Sequence, residues 1–191
     1  SGATSINRMF DSCSTLTSLD LSSWDVSKVT DFSRLFSGCY NLQSLNTSGW
    51  DTSSATNMSG MFLSCGLTEL DVSHFDTSNV TDLSNMFGGV KIPSIDLSSW
   101  DVRKVQQTRL MFNSGSITEI NLDGWNTESL TDMWAMFCDS GITTVDINHF
   151  NVSKVTNASQ LFDQCRKLVS VDMSNLHFAS CQTIASMFSR C

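Results

Sequence analysis

Along the chain the apolar positions follow two alternating periods. Between Leu16 and Phe36, the residues Leu19, Asp20, Leu21 and Ser22 alternate with period two, which sends the leucines inward and Asp and Ser outward on a short strand. From Val29 the spacing changes. Val29, Phe32, Leu35 and Phe36 are three, three and one apart, which fits one face of a two- to three-turn helix. Ser27 precedes that run at the place of an N-cap. The pattern predicts strand, turn, short helix and loop as one coil.

The coil recurs. The Phe of a Met-Phe or Leu-Phe pair falls at Phe10, Phe36, Phe62, Phe87, Phe112, Phe137, Phe162 and Phe188, always 25 or 26 residues apart. Twelve residues earlier an aromatic position gives Trp24, Trp50, Phe75, Trp100, Trp125, Phe150 and finally Leu176. All length changes fall after the Phe, which predicts a loop there. One coil of this length cannot bury both a strand and a helix face, so the coils must stack into a solenoid.

The expected fold class is therefore α/β: seven 25- to 26-residue coils of short parallel strand plus short helix. One repeat domain is expected over 1–191, with a helical half-coil at 1–15 and coils at 16–41, 42–66, 67–91, 92–116, 117–141, 142–167 and 168–191. Two internal ladders follow, one of Leu19, Leu45, Leu70, Ile95, Ile120, Val145 and Val171, the other of the eight Phe residues. The coil order Ser-Trp, Gly-Trp, His-Phe occurs twice, at Ser23, Gly49 and His74 and again at Ser99, Gly124 and His149, as in a duplicated three-coil block. The last coil loses the aromatic and carries Cys181 in place of Val, as a diverging terminal coil would. The opening Ser1-Gly2-Ala3-Thr4 lacks Met and the chain starts mid-repeat, which reads as a processed or cut beginning or as a half-coil cap.

Composition narrows the partners. Of 191 residues, 40% are hydrophobic, enough for a continuous core, and the formal charge is −8, from 11 Lys and Arg against 19 Asp and Glu. That balance disfavours nucleic acid and anionic membrane surfaces, which need a basic footprint. No run approaches the ~18 apolar residues of a membrane span, so this stretch is not expected to insert in a membrane.

Ser78-Asn-Val-Thr-Asp82-Leu-Ser-Asn-Met86-Phe87 and the unit Leu19-Asp-Leu-Ser-Ser-Trp24-Asp-Val-Ser-Lys-Val29-Thr-Asp-Phe-Ser-Arg-Leu35-Phe36 resemble the BspA-like leucine-rich-repeat surface proteins of bacteria. Phe36-x-x-Cys39-x-x-Leu42 is similar to a further motif of the same proteins. The resemblance covers essentially the whole chain. It implies a leucine-rich-repeat-like, right-handed solenoid at the cell surface, outside the cell, engaged in adhesion to a protein or glycan on a host or neighbouring cell. It supplies no catalytic residue. Two departures from the repeat are Gln106-Gln-Thr-Arg-Leu110 in the fourth coil and Trp134 in the fifth.

The candidate binding residues lie on the sheet face: Ser18, Asp20, Ser44, Asn46, Glu69, Asp71, Ser94, Asp96, Glu119, Asn121, Thr144, Asp146, Ser170 and Asp172. Trp50, Trp100 and Trp125 are possible aromatic contacts, or else stack in the core. Neighbouring strands lie about 4.8 Å apart, so the Asp20, Asn46, Asp71, Asp96, Asn121, Asp146 and Asp172 column needs relief from repulsion. Calcium is a possible answer, since hard cations take carboxylates. The favoured one is hydrogen bonding to hydroxyls or backbone amides in the turn, with shifted carboxylate titration as its consequence.

Cys13, Cys39, Cys65, Cys165 and Cys191 share one column and are expected as unpaired, buried thiols; the alternative is a bridge from Cys165 to Cys191 or from Cys39 to Cys65. None has zinc-site spacing. The only histidines are His74, His149 and His177, of which His74 and His149 are one repeat position three coils apart, too far to act together. No catalytic constellation, metal or cofactor is expected, and the chain is expected not to be an enzyme. Two further readings are a spacer in a larger surface protein and a water- or ice-ordering array, the latter drawn from the Thr30, Thr56, Thr81, Thr131 and Thr156 column, which Gln106 and Gln182 interrupt. Five glycosylation sequons, at Asn46, Asn57, Asn79, Asn151 and Asn157, arise from the repeat itself.

Overall fold

A computed structural model describes residues 2–191; Ser1, the first residue of the expected half-coil, lies outside them. The repeat spacing appears as hydrogen bonding between successive rungs. Short strands β1 (Ser18–Asp20) and β2 (Ser44–Asn46) pair in parallel, Leu19 opposite Leu45, and β3 (Ser94–Asp96) pairs likewise with β4 (Glu119–Asn121). A second line of parallel bridges runs unbroken through Ser5, Asp31, Asn57, Asp82, Gln107, Asp132, Asn157 and Thr183.

The α/β reading is overturned: the described residues contain no helix, and their strands form two separate two-stranded sheets rather than one. The leucine-rich-repeat-like solenoid of strand and helix is therefore not this chain's architecture. Where a helix is predicted, over 29–36 and its equivalents, the backbone makes consecutive tight turns. The N–H groups of Leu35, Ser37 and Cys39 donate three residues back, to Phe32, Arg34 and Phe36. Those between them, on Phe32, Arg34, Phe36 and Gly38, donate instead to Asn57, Ser59, Met61 and Leu63 in the next rung. Arg34 (φ 55°) and Gly38 (φ 69°) are left-handed, and the same pair of positions is left-handed in the other rungs, as at Asn85 and Gly89 or Leu110 and Ser114. Positive φ at the third residue marks a type II turn, and one such residue in every four stops an α-helix.

Thickness explains the preference. A helix with side chains is about 10–12 Å across, roughly twice the ~4.8 Å between paired strands, so helical coils keep pace with paired strands only by splaying into a curved horseshoe and cannot stack straight at that spacing. Flat turns can. They bring all eight Phe rings into one stack, with centroids 5.3–5.9 Å apart and planes within 13° of parallel. The three-three-one spacing survives because successive turns point Phe32, Leu35 and Phe36 inward, where all three are fully buried. Left-handed Leu110 and Ala135 cost about 1–2 kcal/mol each, set against the cross-rung bonds their N–H groups make to Trp134 and Ser159.

The strand ladder is shallower than predicted. Only Ile95 and Val145 of that column are buried, while the others are half-buried against the core. The deep positions lie two residues on, at Leu21, Val72, Leu97, Leu122 and Ile147. One hydrophobic cluster extends from Ile6 to Leu176. Gly49 is obligatory in its rung: a Cβ there would overlap the Ser22 carbonyl oxygen.

Candidate functional site

The acidic column of the sheet face is built into turns. In all seven rungs its Oδ1 accepts the N–H of the residue two further on: Asp20 from Ser22, Asn46 from Ser48, Asp71 from Ser73, Asp96 from Ser98, Asn121 from Asp123, Asp146 from Asn148 and Asp172 from Ser174, at 2.9–3.2 Å. This is the Asx-turn, in which a short side chain replaces a backbone acceptor. It explains why Asp and Asn interchange in the column. The amide and hydroxyl of Ser22, Ser98 and Ser174 hold Asp20, Asp96 and Asp172 below the ordinary carboxylate value, and the Ser73 hydroxyl and amide do the same for Asp71.

Two more such columns were not anticipated. Asp25, Asp51, Asp76, Asp101, Asn126 and Asn151 hold the next turn. Asp31, Asn57, Asp82, Asp132 and Asn157 hold the one after it. At Asp25 the Ser27 hydroxyl and amide are the foremost groups that hold the carboxyl well below its ordinary value, so Ser27 is the donor to an Asx-turn and not a helix cap. The signal was present in the sequence as Asp-x-Ser or Asn-x-Ser three times in each of the first three coils. Ser5 and Thr183 stand at the ends of the third column and Gln107 interrupts its middle with a longer side chain; beside Gln107 the buried Thr108 hydroxyl has no hydrogen-bond partner.

Thirteen of the fourteen candidate residues are exposed, and Asn121 is half-buried. They do form one face. Along it lie shallow depressions, floored by Leu45 and Leu70, by Leu70, Ile95 and Ile120, and by Val145 and Val171, with Asp, Ser and Glu at their rims. Glu69 and Glu119 differ from the aspartates in that their carboxylates make no hydrogen bond or ion pair among the described residues, so they are free to meet a partner.

The tryptophans turn inward. Trp50, Trp100 and Trp125 are 2–4% exposed and cannot serve as surface contacts; their Nε1 atoms donate to the carbonyls of Leu21, Val72 and Leu97. In His-Phe coils, His74 Nε2 bonds the equivalent carbonyl of Thr47 at 2.9 Å, and His149 Nε2 that of Leu122 at 3.1 Å. Because the acceptor is a carbonyl, Nε2 carries the proton. Histidine and phenylalanine thus divide between them the polar and apolar work of one tryptophan.

All seven cysteines are unpaired. Cys39, Cys65 and Cys165 are buried, Cys13 is half-buried and Cys191 is exposed. The Cys39, Cys165 and Cys191 thiols donate to the carbonyls of Phe10, Phe137 and Phe162, and burial pushes Cys39 up to about 11. Hydroxyls of the Thr column are committed as well: Thr30, Thr56, Thr81, Thr131 and Thr156 each donate to the carbonyl one rung earlier. Asn57, Asn151 and Asn157 of the sequons spend their oxygens on turns. Among the described residues no group of three or more His, Cys, Asp or Glu could hold a metal ion, and no helix is long and apolar enough to cross a membrane.

On the turn side, where the sequence departs from its repeat, a second depression is lined by Arg34, Gly60, Asp82, Asn85, Gln107, Arg109 and Trp134. Arg109 places both Nε and Nη2 at 2.7 Å from Asp132 Oδ2, and Trp134 Nε1 donates to Gln160 Oε1 at 2.9 Å.

No curated protein and no solved structure matches the chain. One family model matches it over residues 4–120 and again over 92–191, which together span nearly its whole length. The chain therefore belongs to the family described as "Mycoplasma protein of unknown function, DUF285".

Proposed function

We propose that this chain is a non-catalytic recognition module at the cell surface, outside the cell, that binds a protein or glycan of a host or neighbouring cell. The observation that carries this reading is the division of labour on the sheet face. Aspartates and asparagines hold turns, and the low titration of Asp20, Asp71, Asp96 and Asp172 keeps them ionised and unsuited to donating protons. What remains for a partner is a regular row of small hydroxyls, the two unengaged glutamates and half-buried aliphatic floors. Such a surface suits recognition by shape and hydrogen bonds. The resemblance of the repeat to BspA-like surface proteins supports the same reading.

The test is binding of the chain to immobilised matrix proteins and glycans, with Glu69→Ser and Glu119→Ser combined. Neither glutamate supports a turn, so the variant should keep its thermal midpoint and lose binding at least tenfold. Absence of binding to every protein and glycan on the panel defeats the proposal.

A further inference from the structure

The turn-side depression sits where the repeat breaks. Ser33, Ser59, Ser84 and Ser159 share one column, in which two adjacent rungs carry Arg109 and Trp134 instead. The result is a trough with a floor of small residues, closed at one end by that pair. At the other end lies Arg34. A Cβ on left-handed Gly60 (φ 62°) would come within 3.1 Å of Arg34 Cγ, so the bare glycine lets the arginine stem lie across the floor. Three rung spacings of about 4.8 Å separate Arg34 from Arg109, or ~14 Å.

Its polar groups fall into two sets. Arg109 and Trp134 are fixed by Asp132 and Gln160. By contrast, the Arg34 guanidinium and the Asn85 and Gln107 amides make no side-chain hydrogen bond among the described residues. Ser84, on the floor, is nine-tenths buried with an unpartnered hydroxyl. Pinned walls and uncommitted donors and acceptors make a preorganised polar site.

From this geometry we infer that the trough binds a short, carboxylate-bearing oligosaccharide. Arg34 is the unpaired cation for the carboxylate, which a guanidinium meets through two parallel N–H donors. The amides of Asn85 and Gln107 and the carboxylate of Asp82 match sugar hydroxyls, and the electron-rich face of an indole suits the C–H face of a pyranose ring. A length of several rungs fits an oligosaccharide better than one sugar. An extended peptide would want an apolar pocket or a free strand edge, and beside Trp134 the lining offers Ser, Gly and one aliphatic side chain, Leu110. The inference rests on the recognition reading above and names a ligand class and a second surface for it.

Calorimetric titration with hyaluronan, heparosan and oligosialic acid tetrasaccharides tests it, with neutral chitotetraose and tetraglutamate as comparisons. At least one acidic tetrasaccharide should bind, at least tenfold more tightly than chitotetraose. Arg34→Gln, at an exposed position, and Trp134→Ala should each weaken that binding tenfold or more, while Lys154→Gln, an exposed charge elsewhere, should not. The inference is overturned if none of the three binds, if both variants bind as the parent does, or if tetraglutamate binds as well as the saccharides. Protein binding that still depends on Glu69 and Glu119 would then leave the proposed function standing.

Discussion

His74 Nε2 donates to the Thr47 carbonyl at 2.9 Å, the bond that Trp50 Nε1 makes at 2.9 Å to Leu21 one rung earlier. The alternation of Ser-Trp, Gly-Trp and His-Phe coils is thus a set of solutions to one problem, an indole-shaped space with a carbonyl at its end. His74→Ser should cost about 0.5–1.5 kcal/mol, the worth of one net hydrogen bond. Adding Phe75→Trp, which recreates the pairing of Ser99 with Trp100, should recover most of it. Urea unfolding of the single and double variants decides the matter, and a double variant no more stable than the single one refutes the equivalence.

The phenylalanine stack makes Phe112 a central support: it is fully buried between Phe87 and Phe137. Phe112→Ala should destabilise by about 3–5 kcal/mol. Phe137→Ala in addition should give a non-additive total, because the two rings touch, while the distant pair Phe112→Ala and Phe36→Ala should be additive within about 0.5 kcal/mol. Equal coupling for both pairs would argue against a ladder of nearest-neighbour contacts.

Acid should unfold the protein through its turn carboxylates. Asp25 is held well below an ordinary 3.8, foremost by the Ser27 hydroxyl and amide, and Asp20, Asp51, Asp71, Asp96 and Asp172 are lowered in the same direction by serine donors. A depressed carboxylate value means that the unfolded chain binds more protons. The stabilisation is complete above about pH 4 and is lost as pH falls toward 2. Asp25→Asn should flatten that fall, since Asn126 and Asn151 already hold the same turn uncharged. A thermal midpoint that does not change between pH 4.5 and pH 2 contradicts this account.

The thiol column offers a graded probe. Exposed Cys191 should alkylate at neutral pH within the dead time of a native-state assay, and buried Cys39, Cys65 and Cys165 only on the timescale of unfolding. Mass-mapped iodoacetamide labelling separates these classes, and uniform labelling would refute the burial pattern.

Much of the scaffold was legible in the sequence. Register, the phenylalanine ladder and the unpaired cysteine column follow from the 25- and 26-residue spacing, although burial holds for Cys39, Cys65 and Cys165 and not for Cys13 and Cys191 at the ends. So does hydrogen bonding of the Asp20 column within its turns. The helix did not follow, for a physical reason. Residues at Val29, Phe32, Leu35 and Phe36 face one side both in a helix and in consecutive tight turns, so the apolar pattern alone cannot choose between them. The left-handed residues that decide it are Arg34, Asn85, Leu110, Ala135 and Gln160, whose side chains carry no common signature. Of the candidate surfaces, the sheet face was visible because strand alternation exposes it. The trough was half visible: Arg109 and Trp134 stand out as departures, but Arg34, Gly60 and Asn85 join them only through cross-rung neighbours.

The central structural claim is that the turn segment spends alternate N–H groups on the next rung instead of on a helix. Through-hydrogen-bond scalar coupling in the isotope-labelled protein tests it most directly, at the amide of Phe36. The account predicts coupling from Phe36 N to the Met61 carbonyl carbon, matching the 2.9 Å bond. Coupling from Phe36 N to the carbonyl of Phe32, four residues back as in an α-helix, would contradict it.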